Sequence, residues 1–307
     1  MSNRLVTIIG PTAVGKTKVA IEIAQKISGE IISADSRQIY KYLTIGTAKP
    51  SHRERREVTF HLIDFVEIDE HYSCGQFARD AGRIIEEIRK RKKIPLICGG
   101  TGLYIRALFK PLHGLPQSTR TSKEKLILLQ RKHGIVYLYK KLQTVDPDWA
   151  KKIGPNDKQR ILRGLEIYEM TGIPLSRLIK KRRKISKYYP YYIGLKVSRE
   201  QLYKRINHRF DAMIRHGLID EVTSLLDRGF DPTSNALRTI GYKEIIEYIQ
   251  GKLSLDQAIG RTKQRTRNYA KRQITWFNKM PGVHWFNPDN PGTINAIIRT
   301  VNKVCIK

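Results

Sequence analysis

A chain of 307 residues is long enough to bury a full-sized core and to form one large domain with a smaller one beside it. Its hydrophobic content of 40% and charged content of 28% exclude wholesale disorder, and 58 Lys and Arg against 28 Asp and Glu leave a formal charge of +30. Such a charge repels itself in a compact fold unless a polyanion screens it, which makes a nucleic acid the first expected partner. Taken in chain order, Leu5 to Ile9 is a short apolar run ending at Gly10, and the periodic stretch Lys16 to Ile27 reads as a helix. Further strands are expected at Glu30 to Ser33, His61 to Val66 and Ile94 to Cys98, with a helix from about Gly75 to Arg91 between the last two. Strands alternating with helices imply an α/β fold, a parallel sheet covered on both faces.

After Leu103 to Phe109, the Pro- and Gly-punctuated stretch Lys110 to Gln117 reads as a boundary. From about Ser122 to Leu178 the pattern is helical, broken at Gly134, Pro147, Pro155 and Pro174, and the basic run Lys180 to Lys184 closes it. A strand at Tyr191 to Val197 returns the chain to the sheet, and helices from Arg199 to about Phe277 complete the fold. The expected organisation is therefore a core of residues 1–112 and 191–307 interrupted by an all-helical insertion, 113–190. Cys74, Cys98 and Cys305 show neither CxxC nor His-rich spacing, so neither a disulfide framework nor a zinc site is indicated. No apolar stretch approaches the roughly 20 residues that span a bilayer, and the first strand starts too early for a signal peptide. These features predict a cytoplasmic protein without a membrane partner.

Gly10, Pro11, Thr12, Ala13, Val14, Gly15, Lys16 and Thr17 match G-x-x-x-x-G-K-[ST] between an expected strand and an expected helix. In that context backbone N–H groups turn inward as an anion nest, the helix N-terminus adds partial positive charge, Lys16 supplies a full one, and Thr17 can ligate Mg²⁺. Two linked phosphates fit such a cradle. Most P-loops hold ATP or GTP and add an acid from a neighbouring strand to the Mg²⁺ shell. Here that strand, Ile94 to Cys98, runs into Gly99-Gly-Thr-Gly102 without one. The second strand ends in Asp35, at the edge where open α/β sheets bind ligands. A carboxylate there serves either as a general base or as a cap or outer Mg²⁺ ligand.

Eight motifs in order resemble the tRNA dimethylallyltransferase (tRNA isopentenyltransferase) family: Gly10 to Thr17, Asp35 to Gln38, Gly46 to Lys49, His61 to Asp64, Gly99 to Tyr104, Asn156 to Arg163, Thr239 to Tyr242 and Thr266 to Gln273. Arg37 stands where the family usually has Met, Gly164 where Ala is common, and Lys123 where an Arg often stands. The resemblance implies a P-loop catalytic core that holds the diphosphate of dimethylallyl diphosphate, with Mg²⁺ as cofactor, and an insertion that grips the anticodon stem-loop of tRNA. It implies that Asp35 accepts a proton from the exocyclic amine of the adenosine 3′ of the anticodon. Lys16, Thr17 with Mg²⁺, and Arg209 on a helix from Tyr203 to Ile214 would stabilise the departing diphosphate, and Thr101 would position the reacting groups. Asp35, Ser36, Arg37, Gln38, Thr101, Lys123, Gln159, Arg160, Ile161, Leu162 and Arg163 would contact tRNA, and the basic sets Lys180 to Lys184 and Arg261 to Arg272 would meet its phosphates. Tyr137, Tyr139 and Trp276 are expected in the core. Three rivals share parts of this pattern: an adenylate isopentenyltransferase acting on free nucleotide, a small-molecule P-loop kinase and a non-catalytic RNA-binding protein. Nothing in the sequence calls for a protein partner.

Overall fold

The computed structural model describes residues 3–110, 115–116, 120–181 and 186–303. Cys305 and most of the basic run Lys180 to Lys184 lie outside them. Contacts divide the chain into two compact units, Met1–Phe109 with Ser186–Lys307, and Lys110–Ile185.

In the first unit, strands β1 (Arg4–Ile9), β2 (Gly29–Ser33), β3 (Phe60–His61), β4 (Ile94–Gly99), β5 (Tyr189–Leu195) and β6 (Val283–Phe286) form one sheet in the order β3-β2-β4-β1-β5-β6. Every pairing is parallel. Such a sheet needs helices on both faces, and the residues of β1 alternate accordingly. Val6 and Ile8 pack with Ala20 and Ile23 of α1 (Lys16–Lys26) on one side. Leu5 and Ile9 meet Phe77 and Ile85 on the other; these belong to α3 (Cys74–Lys90), which follows the short α2 (His52–Glu57). A capping box between Ser73 and Gln76 starts α3. Helix α4 (Gly102–Phe109) leaves β4, and the chain re-enters the sheet at β5. From β1 the chain crosses to one side of the sheet, and from β4 it passes back beyond β1 to β5. This reversal opens a crevice at the carboxyl ends of β1 and β4, the place where open α/β sheets bind ligands. The register aligns Ile9 with Gly99 and Ser33 with Cys98, so the loops after β1, β2 and β4 begin level with one another.

The second unit contains α5 (Arg120–Val145), interrupted at Gly134 as the sequence predicts, then α6 (Pro147–Ala150), α7 (Lys158–Thr171) and α8 (Leu175–Lys181). Leu138, Leu142, Ile161 and Leu165 centre its core. Back in the first unit come α9 (Arg199–Arg215), α10 (Leu218–Asp227), α11 (Tyr242–Ile249), α12 (Leu255–Asn278) and α13 (Thr293–Val301). Helices α9 to α12 enclose a further core with Tyr40, Leu43 and Val66.

Three expectations need correction. The span His61 to Val66 is not a strand: only Phe60 and His61 pair with β2. Leu62 (φ 60°) and Asp64 (φ 57°) turn the chain left-handed, Lys49 and Arg55 grip the Asp64 carboxylate, and strand pairing resumes only as a single bridge between Tyr40 and Val66. The return strand begins at Tyr189 and ends at Leu195, two residues earlier than expected at each end, because its pairing with β1 starts at Arg4 opposite Tyr189. Strand β6 and helix α13 went unforeseen, the strand being only four residues long.

At the amino end of the sheet, buried Glu30 takes hydrogen bonds from Arg91 (2.7 Å) and His61 (2.6 Å), with Lys93 at 3.2 Å. Burial pushes its pKa up, but these three partners overcome that and hold it down to about 2, against an ordinary value of 4.5. Because the folded value is the lower one, ionised Glu30 stabilises the fold above pH 4.5 and that contribution, about 3 kcal/mol, is lost as pH falls toward 2. Urea unfolding of Glu30→Gln should show lower stability than the parent at pH 6 and a flatter decline toward pH 3. Parallel acid profiles for the two proteins would contradict this.

Candidate active site

The loop Gly10 to Thr17 connects β1 to α1. Ala13 (φ 63°) and Gly15 (φ 100°) adopt left-handed backbone, the alternation that turns successive N–H groups toward one anion. Any side chain at Gly15 would be strained there, which accounts for the second glycine of the motif. The Lys16 ammonium bends back over the loop and donates to the Pro11 carbonyl at 2.7 Å. Burial lowers its pKa to about 8, opposed by the nearby Cys98 and Asp35, while Arg209 adds to the depression. A cation held in so desolvated a place favours an incoming anion. Cys98 beneath the loop is a buried thiol pushed up to about 12 and is inert as a nucleophile.

Across the crevice, Asp35 starts the loop after β2. Its Oδ1 accepts hydrogen bonds from the N–H groups of Arg37 (2.9 Å) and Gln38 (3.4 Å). Among the described residues its other oxygen receives no hydrogen bond, so the same carboxylate both fixes the turn and keeps an acceptor. Thr101 anchors that turn from β4: its Oγ1 accepts from the Ser36 N–H at 3.0 Å, and its own N–H donates to the Ala34 carbonyl at 3.1 Å. Gly99 makes this approach possible, since a Cβ there would lie 2.2 Å from the Ala34 oxygen. Arg209, carried on α9, has its pKa lowered by burial and supported by the Asp35 charge. Lys16, Asp35, Thr101 and Arg209 therefore share one locality, fed by three loops and one helix.

The remaining expected contacts behave differently from one another. Arg37 donates to the Asn235 carbonyl at 2.7 Å, and the Gln38 amide is used internally by Ser33, Thr47 and Ala48. In the second unit Gln159 and Arg160 are exposed, Leu162 is half-buried and Ile161 is wholly buried. Arg163 is tied to buried Glu166 at 2.7 Å and to the Pro116 carbonyl at 2.6 Å. Although Arg160 and Arg163 lie three apart, Arg160 is the more exposed of the two, 56% of its side chain against 33%. The side chain of Lys123 lies outside the described residues. We expect Arg163→Ala to lower stability by about 1–3 kcal/mol by removing the charged partner of a buried carboxylate that Ser122 also bonds, and Arg160→Ala to leave it unchanged. Thermal melts of the two variants check this; equal melting temperatures would contradict it.

Sequence reasoning missed several participants. Gln273 on α12 accepts from the Thr12 N–H at 2.8 Å, and Arg205 on α9 reaches the Val14 carbonyl at 3.3 Å while pairing with Asp289 at 2.5 Å. Arg205 precedes Arg209 by four residues, the spacing of one helix face, which was the available signal. Tyr269, beside Thr101, has its phenol pushed up to about 12 by burial and by the Asp35 charge. Of the three aromatic residues expected in the core, Tyr139 and Trp276 do pack against buried clusters, but Tyr137 is 45% exposed and meets His133 in a tilted ring contact. Within the basic set of α12, Lys263 and Arg265 are engaged by Asp211 and Glu244, whereas Lys271 and Arg272, with Lys279 just beyond the helix, line an open cavity with Thr275 and Trp276.

Among the described residues no cluster of three or more His, Cys, Asp or Glu could encircle a metal ion by itself. The Thr17 hydroxyl beside the cradle does suit Mg²⁺, which takes few protein oxygens and completes its shell with phosphate oxygens and water.

A parallel sheet with a phosphate cradle at its switch point, and an aspartate and an arginine facing it, defines a P-loop α/β protein without the strand-borne acid of ordinary nucleotide hydrolases. The model of the IPP transferase family matches residues 38–280, and the chain belongs to that family. The tRNA dimethylallyltransferase of Thermoanaerobacter sp. strain X514 is 46% identical over 294 residues, 94% of this chain and 93% of that protein. The solved tRNA isopentenylpyrophosphate transferase of Bacillus halodurans is 38% identical with a TM-score of 0.72, over 98% of this chain and 96% of that one. A eukaryotic dimethylallyltransferase solved acting on tRNA is 31% identical with a TM-score of 0.81, over 98% of this chain and 78% of that one. No helix among the described residues is long and apolar enough to cross a membrane.

Proposed function

We propose that this protein transfers a dimethylallyl group from dimethylallyl diphosphate to the N6 amine of the adenosine 3′ of the anticodon in tRNA, releasing diphosphate. The observation that carries the reading is the pairing of a cationic anion cradle with an aspartate oxygen left available across the same crevice. The allylic carbon–oxygen bond breaks as the amine attacks that carbon, and the amine's proton passes to Asp35. Backbone N–H groups of residues 13–17, the Lys16 ammonium and the Arg209 guanidinium receive the charge that develops on the leaving diphosphate. Thr17 would hold Mg²⁺, which when bound would supply additional positive charge to the diphosphate. Thr101, bonded to Ser36, keeps Asp35 on the reacting side. The adenine reaches this site out of its stack, since its amine is inaccessible within it. Exposed Gln159 and Arg160, and the cations Lys271, Arg272 and Lys279, meet the anticodon stem-loop in a cytoplasmic setting. Incubation of the protein with labelled dimethylallyl diphosphate, Mg²⁺ and either tRNA or AMP tests the proposal. Label should enter tRNA alone; label in AMP alone, or in neither acceptor, would overturn it.

A further inference from the structure

Helix α12 sends three side chains at i, i+4 and i+7 along one face into the catalytic crevice. Tyr269 meets Thr101, and Trp276 lies so close to Gly102 that a Cβ there would sit 2.2 Å from the indole nitrogen. Between them Gln273, 6% exposed, uses both ends of its amide. Its Oε1 accepts from the Thr12 N–H at 2.8 Å, and its Nε2 donates to the Gly100 carbonyl at 2.9 Å. The first partner belongs to the loop that cradles the diphosphate. The second is the residue before Thr101, whose hydroxyl fixes the turn that carries Asp35. One buried amide therefore spans the donor loop and the acceptor loop.

We infer that Gln273 is a positioning residue, holding the diphosphate cradle and the Thr101 turn in one geometry so that the allylic carbon and the Asp35 oxygen stay in register. The inference rests on the prenyl-transfer reading above. Without the bridge, a half-buried N–H and a buried carbonyl lose their partners and each loop relaxes to find others. A displacement near 1 Å at the reacting centre is enough to slow a bimolecular transfer by about 100-fold. Since the Thr12 N–H already points at Gln273, the nest that receives diphosphate is built from the other amides of the loop, and its shape depends on this anchor.

Gln273→Met keeps the side chain's length and removes both hydrogen bonds. Gly100→Ala attacks the same bridge from the opposite side, because its Cβ would come within 2.4 Å of Gln273 Nε2. Each variant should lower the single-turnover rate of tRNA prenylation by about 10–100-fold while the tRNA Kd stays within about twofold of the parent. The double variant should lose no more than the worse single one, because both break one device. Additive losses, an unchanged rate, or a loss that merely follows weakened tRNA binding would overturn the inference. Titration with inorganic pyrophosphate and Mg²⁺ reads the cradle without turnover, and Gln273→Met should weaken it about tenfold. Unchanged pyrophosphate binding would refute the role of Gln273 whichever acceptor the parent uses, whereas a parent that binds pyrophosphate normally yet never prenylates tRNA would refute the prenyl-transfer reading alone.

Discussion

Asp35→Asn should reduce the single-turnover rate of tRNA prenylation by about 10²–10⁴-fold, the usual worth of a general base, with little change in tRNA affinity. The asparagine is the informative substitution because its carbonyl oxygen can still accept from the Arg37 and Gln38 amides that Oδ1 now holds. The turn is thereby kept while the proton acceptor is lost. Alanine would remove both, and the loss of the cap would be mistaken for a loss of chemistry. The substitution also deletes a carboxylate that supports the charges of Lys16 and Arg209. A side effect on donor affinity is therefore expected, and it is separated from the chemical step by measuring at saturating donor. Near-normal turnover at saturation would leave Asp35 as a turn-forming residue only.

The second large effect is on affinity. A net charge of +30 on 307 residues supports phosphate contacts whose counterions are released on binding. With about six such contacts on single-stranded or loop RNA, tRNA affinity should fall about 10²–10³-fold between 50 and 200 mM salt. Not every cation takes part. Lys263 and Arg265 are already neutralised by Asp211 and Glu244, Arg163 by Glu166 and Arg160 by Asp157, so the slope reports mainly on Lys271, Arg272, Lys279 and similarly exposed groups. Replacing Lys271 and Arg272 together by Gln should lower the slope by about 1.4 and weaken all tRNAs alike. A salt-independent Kd would show that the charge serves something other than RNA.

Much of the candidate site is spelled locally. The cradle is one contiguous motif, and Asp35 and Thr101 each stand just beyond a strand whose apolar run is visible in the sequence, so the parallel topology alone brings their loops to one edge. Arg209 required more, because the helix face that carries it is indistinguishable in sequence from a solvated one; the family pattern singled it out. Gln273 lies within a family motif, yet its role is not legible there, since its partners are 261 and 173 residues away and no local periodicity encodes such contacts. The turn at Leu62 to Asp64 was misread as strand because its left-handed backbone depends on Lys49 and Arg55, which arrive from another segment. Ile161 and Arg163 show the converse problem. Spacing places residues on a helix, but only packing decides that Ile161 faces the core and that Arg163 is spent on Glu166.

Nucleoside mass spectrometry of tRNA incubated with the protein, dimethylallyl diphosphate and Mg²⁺, combined with measurement of released diphosphate, tests the central claim most directly. The account predicts one five-carbon unit on the adenosine 3′ of the anticodon for each diphosphate set free. Unmodified tRNA, with phosphate transferred from ATP to a small molecule instead, would contradict it.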